Sequence, residues 1–148
     1  MNSIRINTRY LIACLTVFSL IVFYGCTVQY VAVYDESIKN EIIRIAGEVE
    51  MFYATLLEAD ASLRGYNNFK DRYLAIEVDL RTLLTRNKIR PLNEESTKQT
   101  EIALELWLDD KEKHKFNDSV SDFIINSHRN QFQRIFIAMA KGEAVKEE

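Results

Sequence analysis

IKNEIIRIAGEVEMFYATLLEADASL, residues 38–63, decides the fold. Ile38, Ile42, Ile45, Val49, Phe52, Leu56, Ala59 and Leu63 recur at alternating spacings of four and three. That period places them on one face of an α-helix. Ile43, Ala46, Tyr53 and Leu57 widen the stripe to the breadth expected of a helix packed in a bundle. Asp35, Glu36 and Ser37 stand just before it, where side-chain oxygens accept the unpaired N–H groups of a first turn. Gly65 reads as the stop after it.

Three further helices are expected downstream. Asn68 reads as a cap for a helix with Phe69, Tyr73, Ile76, Leu80 and Leu83 on one face, fading at Asn87. The connector Lys88–Leu92 contains Pro91, which biases the residue before it out of helical geometry. Asn93 with Glu94 and Glu95 opens a third helix around Ile102, Ala103, Leu104, Leu106, Trp107 and Leu108, expected to fray over the charged run Asp109–Lys115. A fourth begins near Asn117-Asp118-Ser119, with Val120, Phe123, Ile124, Ser127, Gln131, Ile135, Ala138 and Met139 on its stripe and Phe132 and Phe136 beside it. Gly142 is expected to end it. With four glycines, one proline and short connectors, the reading is all-α: an antiparallel up-down four-helix bundle over 35–142, preceded by an N-terminal signal or anchor helix and followed by a loose tail, 143–148.

The N-terminal segment speaks to location. Arg5 and Arg9 precede 15 uncharged residues, Tyr10–Tyr24, and then Gly25-Cys26. A basic start, an apolar stretch and a small residue at the cut describe an export signal over 1–25. A cysteine just after the cut is a lipid-attachment site, so Cys26 is the expected acylated residue, with 26–34 a linker. Phe23 and Tyr24 are bulkier than the residues that usually precede such a cut. The alternatives are a plain secreted product and an uncleaved anchor, because the uncharged run continues for 25 residues to Tyr34, and about 20 suffice to cross a bilayer. The arginines before the run and Asp35-Glu36 after it put the body outside the cytoplasm. Membrane lipid, through an acylated Cys26 or an N-terminal helix, is therefore an expected partner at the periplasmic face of either envelope membrane.

Composition excludes more than it assigns. Removing Arg5 and Arg9 with the leader leaves 17 basic against 22 acidic side chains, a net charge of −5 and no footprint for nucleic acid. Both cysteines, Cys14 and Cys26, lie in the leader region, so the body has neither a disulfide nor thiol chemistry. Lys111, Lys113 and Lys115 suit a solvated helix end. Neither His114 nor His128 has glutamate three residues before it, the pairing of metal-binding bundles, and no metal or other cofactor is expected. His114 reads as a helix-end residue and His128 as a partly buried or surface one. Glu48 with Glu50 and Glu77 with Asp79 point to different helix faces, so no catalytic residues are assigned and no enzyme is expected. Tyr53, Phe69, Tyr73, Trp107, Phe132 and Phe136 read as core, with a small apolar ligand between the helices as the alternative.

Gly25-Cys26, Tyr34-Asp35 before the first helix, Asn68-Phe69, Asn93-Glu94 and Asn130-Gln131-Phe132 with Ile135 and Ala140-Lys141 carry a resemblance. The chain resembles a group of small, mostly uncharacterised proteobacterial envelope lipoproteins with a helical-bundle periplasmic domain. The resemblance implies location and architecture and no activity. The expected function is a non-catalytic interaction or structural module of the cell envelope with an envelope protein as partner. The alternative is a sensory or ligand-binding bundle tethered by an uncleaved helix. Acyl-chain labelling should mark the wild type and fail to mark Cys26→Ala; equal labelling and equal size in the two would remove the lipoprotein reading.

Overall fold

The computed structural model describes residues 30–147. The signal or anchor over 1–25, Cys26 and the first part of the linker lie outside the described residues. Four helices pack against one another: α1 Glu36–Glu58, α2 Lys70–Lys88, α3 Glu94–Asn117 and α4 Asp122–Ala144. Short 3-10 turns occupy Ala61–Leu63, Tyr66–Asn68 and Val145–Glu147. Among the described residues there is no strand, and no helix is long and apolar enough to cross a membrane.

Side chains crossing between helices give their directions. Arg44 reaches Asp79 at 2.9 Å and Arg72 reaches Thr55 at 2.8 Å, so α2 runs back along α1. Asn87 donates to Thr100 at 2.9 Å and Lys111 pairs with Glu77 at 2.9 Å, which reverses α3 on α2. Arg129 holds Glu50 at 2.9 Å and the Asp35 N–H donates to Glu143 at 3.0 Å, closing α4 antiparallel on α1.

The stripe of α1 is buried from Ile38 to Leu56, as its spacing requires. Asp35 caps it, accepting from the N–H groups of Ser37 at 2.8 Å and Ile38 at 3.3 Å. The helix stops a turn earlier than expected, at Glu58, and Leu63 is exposed. Gly65 is not a left-handed stop, since its φ is −64°. Arg64 ends the helix instead. Its buried guanidinium donates to Leu57 O at 3.0 Å and Ala59 O at 2.9 Å, carbonyls that the last turn leaves without helical partners. The same group reaches Val120 O and pairs with Asp122, tying the end of α1 to the start of α4.

Elsewhere the capping expectations fail in instructive ways. Asn68 lies in a 3-10 turn and donates to Leu63 O at 2.8 Å, so it does not cap α2. Asn93 precedes α3 without a side-chain cap bond. It turns inward to Asn87, donating to its carbonyl at 3.1 Å and its side-chain oxygen at 3.0 Å. The expected fraying of α3 over Asp109–Lys115 does not occur, and the helix runs to Asn117. Thr100, Ala103, Trp107, Asp110 and His114 are all buried on one face. The three-four period continues through Trp107, but polar side chains take over its last two positions.

The stripe of α4 is rotated from the expected one. Ile125, Phe132, Phe136, Met139 and Glu143 are buried, while Phe123 and Ile124 are exposed. Stepping back one heptad from Phe132 lands on Ile125, not on Ile124 or Phe123. Ser121 is its cap residue, accepting from Ile124 N–H at 3.4 Å. Nor does Gly142 end the helix, which continues to Ala144. Beyond Gly142, Glu143 is 1% exposed. It takes Arg90 at 2.7 Å and Lys146 at 2.6 Å as well as the Asp35 N–H. Burial pushes the Glu143 carboxyl up, but the bonds from Arg90 and Lys146 outweigh it and hold the group below its ordinary 4.5.

Mid-body, one aromatic layer joins all four helices. Phe52 of α1 meets Tyr73 of α2 at 4.5 Å and Trp107 of α3 at 5.0 Å between ring centroids. Phe132 of α4 meets Trp107 at 5.7 Å and Tyr53 of α1 at 5.9 Å. Trp107 is fully buried, and its Nε1–H donates to Tyr73 O at 3.0 Å. Trp107→Ala should therefore destabilise the protein by about 3–5 kcal/mol, a large share of the about 5–15 kcal/mol that holds an ordinary domain folded. Urea unfolding followed by circular dichroism measures it, and a loss below about 1 kcal/mol would contradict this account of the core.

Candidate functional site

The polar continuation of the α3 stripe meets polar groups of all four helices below the aromatic layer. Asp110 and His114, one turn apart on α3, are buried. Tyr53 of α1 donates its hydroxyl to Asp110 Oδ2 at 2.5 Å. His128 of α4 brings Nδ1 to 2.7 Å from the same oxygen. Tyr73 of α2 places its hydroxyl 3.2 Å from His114 Nδ1, and His114 Nε2 lies 2.7 Å from Arg64 O. Two tyrosines, two histidines and a carboxylate thus converge at the end of the body where the α1–α2 connector and the α3–α4 turn meet. The first described residues dock at the other end, with Ala32 N–H on Leu92 O at 2.8 Å.

The connector and turn are stitched together. Asp118 closes α3 in the left-handed region, at φ 49°, and accepts the Tyr66 N–H at 2.8 Å. Here Gly65 sits close against Asp118. A Cβ on it would stand 3.3 Å from Asp118 Oδ1, tighter than ordinary contact. Next to this closure lies a pocket of about 430 Å³, lined by Tyr53, Tyr73, Asp110, His114, Ile124 and His128 among others. That size is in the range of small-molecule sites. A second hollow, about 340 Å³, lies between α1 and α4 against Ile43, Gly47, Phe132 and Ile137. Its charged lining residues, Glu50 and Arg129, are occupied by each other, so it offers little to orient a ligand.

Protonation in the cluster follows from partners. A carbonyl only accepts, so His114 Nε2 carries the hydrogen, and Nδ1 is left to accept from the Tyr73 hydroxyl. Burial pushes the His114 imidazole below its ordinary 6.5, more strongly than the Arg64 carbonyl and Asp118 raise it. Burial, and next the Asp110 charge, push the Tyr53 and Tyr73 hydroxyls up, so both stay neutral donors. Asp110 Oδ2 holds Tyr53 and His128, whereas Oδ1 makes no hydrogen bond to any described residue.

Of the side chains singled out in the sequence, Tyr53, Phe69, Tyr73, Trp107, Phe132 and Phe136 are in the core, and Tyr53 and Tyr73 also line the pocket. His114 does lie in the last turn of α3, but facing inward. Asp110 was legible only by carrying the Trp107 period into the charged run. Cys26 lies outside the described residues, and among those described no group of three His, Cys, Asp or Glu side chains could hold a metal ion. Comparison with protein-family models, curated proteins and solved structures returned no match.

The His114 shift has a definite sign. The unfolded imidazole takes up a proton near 6.5 and the folded one only at lower pH, so stability is complete above 6.5 and falls as pH drops through the folded value. In ¹⁵N-edited spectra at neutral pH, His114 should show a protonated Nε2 and a bare Nδ1, with a titration midpoint below 6.5. A midpoint above that value would refute the buried neutral ring.

Proposed function

We propose that the chain is a lipoprotein of the bacterial cell envelope, periplasmic and membrane-anchored, whose body works by binding rather than by catalysis. The anchor is an acylated Cys26, or an uncleaved helix reaching about residue 34; the basic start, apolar stretch and Gly25-Cys26 support it. The body is an antiparallel up-down four-helix bundle preceded by that signal or anchor helix. What it binds is a small molecule, and the observation carrying this is the pocket of about 430 Å³ lined by Asp110, His114, His128 and two tyrosines. A pocket of this size with a few convergent polar groups is the usual form of a small-molecule site.

A second reading, an envelope protein as partner, draws on Phe116 and Phe123. They are 90% and 78% exposed and flank the turn beside the pocket. A fragment library screened by thermal shift against the wild type and Ile124→Trp, which fills the pocket, separates the two. Small-molecule binding predicts compounds that raise the melting temperature of the wild type and leave Ile124→Trp unmoved. No stabilising compound, or equal stabilisation of both proteins, would sink it.

A further inference from the structure

The pocket's chemistry is lopsided. Its lining includes a carboxylate, Asp110, with one oxygen engaged and the other, Oδ1, bonded to no described residue. No buried side-chain oxygen among the described residues lacks a partner, so Oδ1, which has none, is the accessible side of this carboxylate. Among the described residues no lysine or arginine lies within salt-bridge distance of Asp110, and its one ionisable basic neighbour is His128. Of the nearby cations, Arg64 is taken by Asp122 and three carbonyls and Lys111 by Glu77, while Lys113, a lining residue, pairs with Asp109 on the surface and feels the Asp110 charge without bonding to it. The walls are the rings of Tyr53 and Tyr73 with the aliphatic side chains of Leu56, Val120 and Ile124.

We propose that the pocket binds a small primary amine, its ammonium on Asp110 Oδ1 and its apolar or aromatic body against Tyr53, Tyr73 and Ile124. This rests on the binding function above and names its ligand class. The ammonium supplies the donors and the charge that Oδ1 lacks, in a charge-assisted hydrogen bond. The tyrosine rings add the attraction of an aromatic face for a cation. An anionic ligand would instead be repelled by the carboxylate. A neutral one would bring Oδ1 a hydrogen bond at most and no opposite charge. The Tyr53 hydroxyl is held as a neutral donor to Oδ2, so Oδ1 is the oxygen left for the ligand.

The test is isothermal titration of the full chain in detergent micelles with phenethylamine, 2-phenylethanol and phenylacetate, which differ in the head group alone. Ile124→Trp serves as the blocked control for partition into micelles. Phenethylamine should bind the wild type, fail to bind Ile124→Trp, and bind Asp110→Asn about tenfold or more weakly. Asn preserves the shape of Asp and an acceptor for Tyr53. If it loses the helical circular dichroism of the wild type, the three probes against wild type and Ile124→Trp decide alone. Binding of 2-phenylethanol or phenylacetate as tight as that of phenethylamine, or an undiminished affinity in Asp110→Asn, overturns the amine assignment and leaves the pocket a binding site. Binding of none of the three overturns the amine assignment, and the fragment screen then decides whether the pocket binds at all.

Discussion

The aromatic layer centred on Trp107 is the contact on which the other features depend. It takes Phe52 and Tyr53 from α1, Tyr73 from α2 and Phe132 from α4, so no helix can shift along the axis without breaking it. The indole N–H, which would be costly to bury unpaired, is spent on the Tyr73 carbonyl and fixes the register of α3 on α2. That register places Asp110 and His114, one and two turns further along α3, opposite the hydroxyls of Tyr53 and Tyr73. Layer and polar cluster share residues: the same two tyrosines give their rings to one and their hydroxyls to the other.

How much of this was legible in the residues varied by helix, for physical reasons. In α1 the apolar period is unbroken and only its far end was misplaced, because Arg64, a side chain acting through carbonyls seven and five residues back, ends the helix instead of glycine. In α2 the stripe Phe69–Leu83 was read correctly and its start was not, since the chain enters through a 3-10 turn that gives Asn68 other work. In α3 periodicity of hydrophobicity failed where buried positions turned polar. Asp110 and His114 are at home there because each has partners on other helices, which a single-segment reading does not register. In α4 the crowded apolar residues Val120, Phe123 and Ile124 drew the stripe one position off, and two of the three are exposed.

The two ends of the body are held by different means. At the pocket end, Arg64 gathers the close of α1, the α3–α4 turn and Asp122, and Asp118 gathers Tyr66. At the other end, Asn87, Asn93 and Thr100 form a buried hydrogen-bonded set beside Glu143, Arg90 and Lys146. Among the described residues no buried side-chain nitrogen or oxygen lacks a partner. Polar residues thus serve in both closures, and both border a void, about 430 Å³ beside Asp110 and about 400 Å³ beside Arg90 and Asn93.

The knot around Glu143 also has a mechanical meaning. Glu143 takes the Asp35 N–H, Arg90 takes the Val33 carbonyl, and Leu92 O takes Ala32 N–H. Tension arriving along the chain from its N-terminal side would meet these three attachments before it reached the first turn of α1. The load would pass at once into the C-terminal turn of α4 and the connector between α2 and α3. A body hung by one strand would thereby resist tugging as a unit, where a lone first helix would peel away turn by turn.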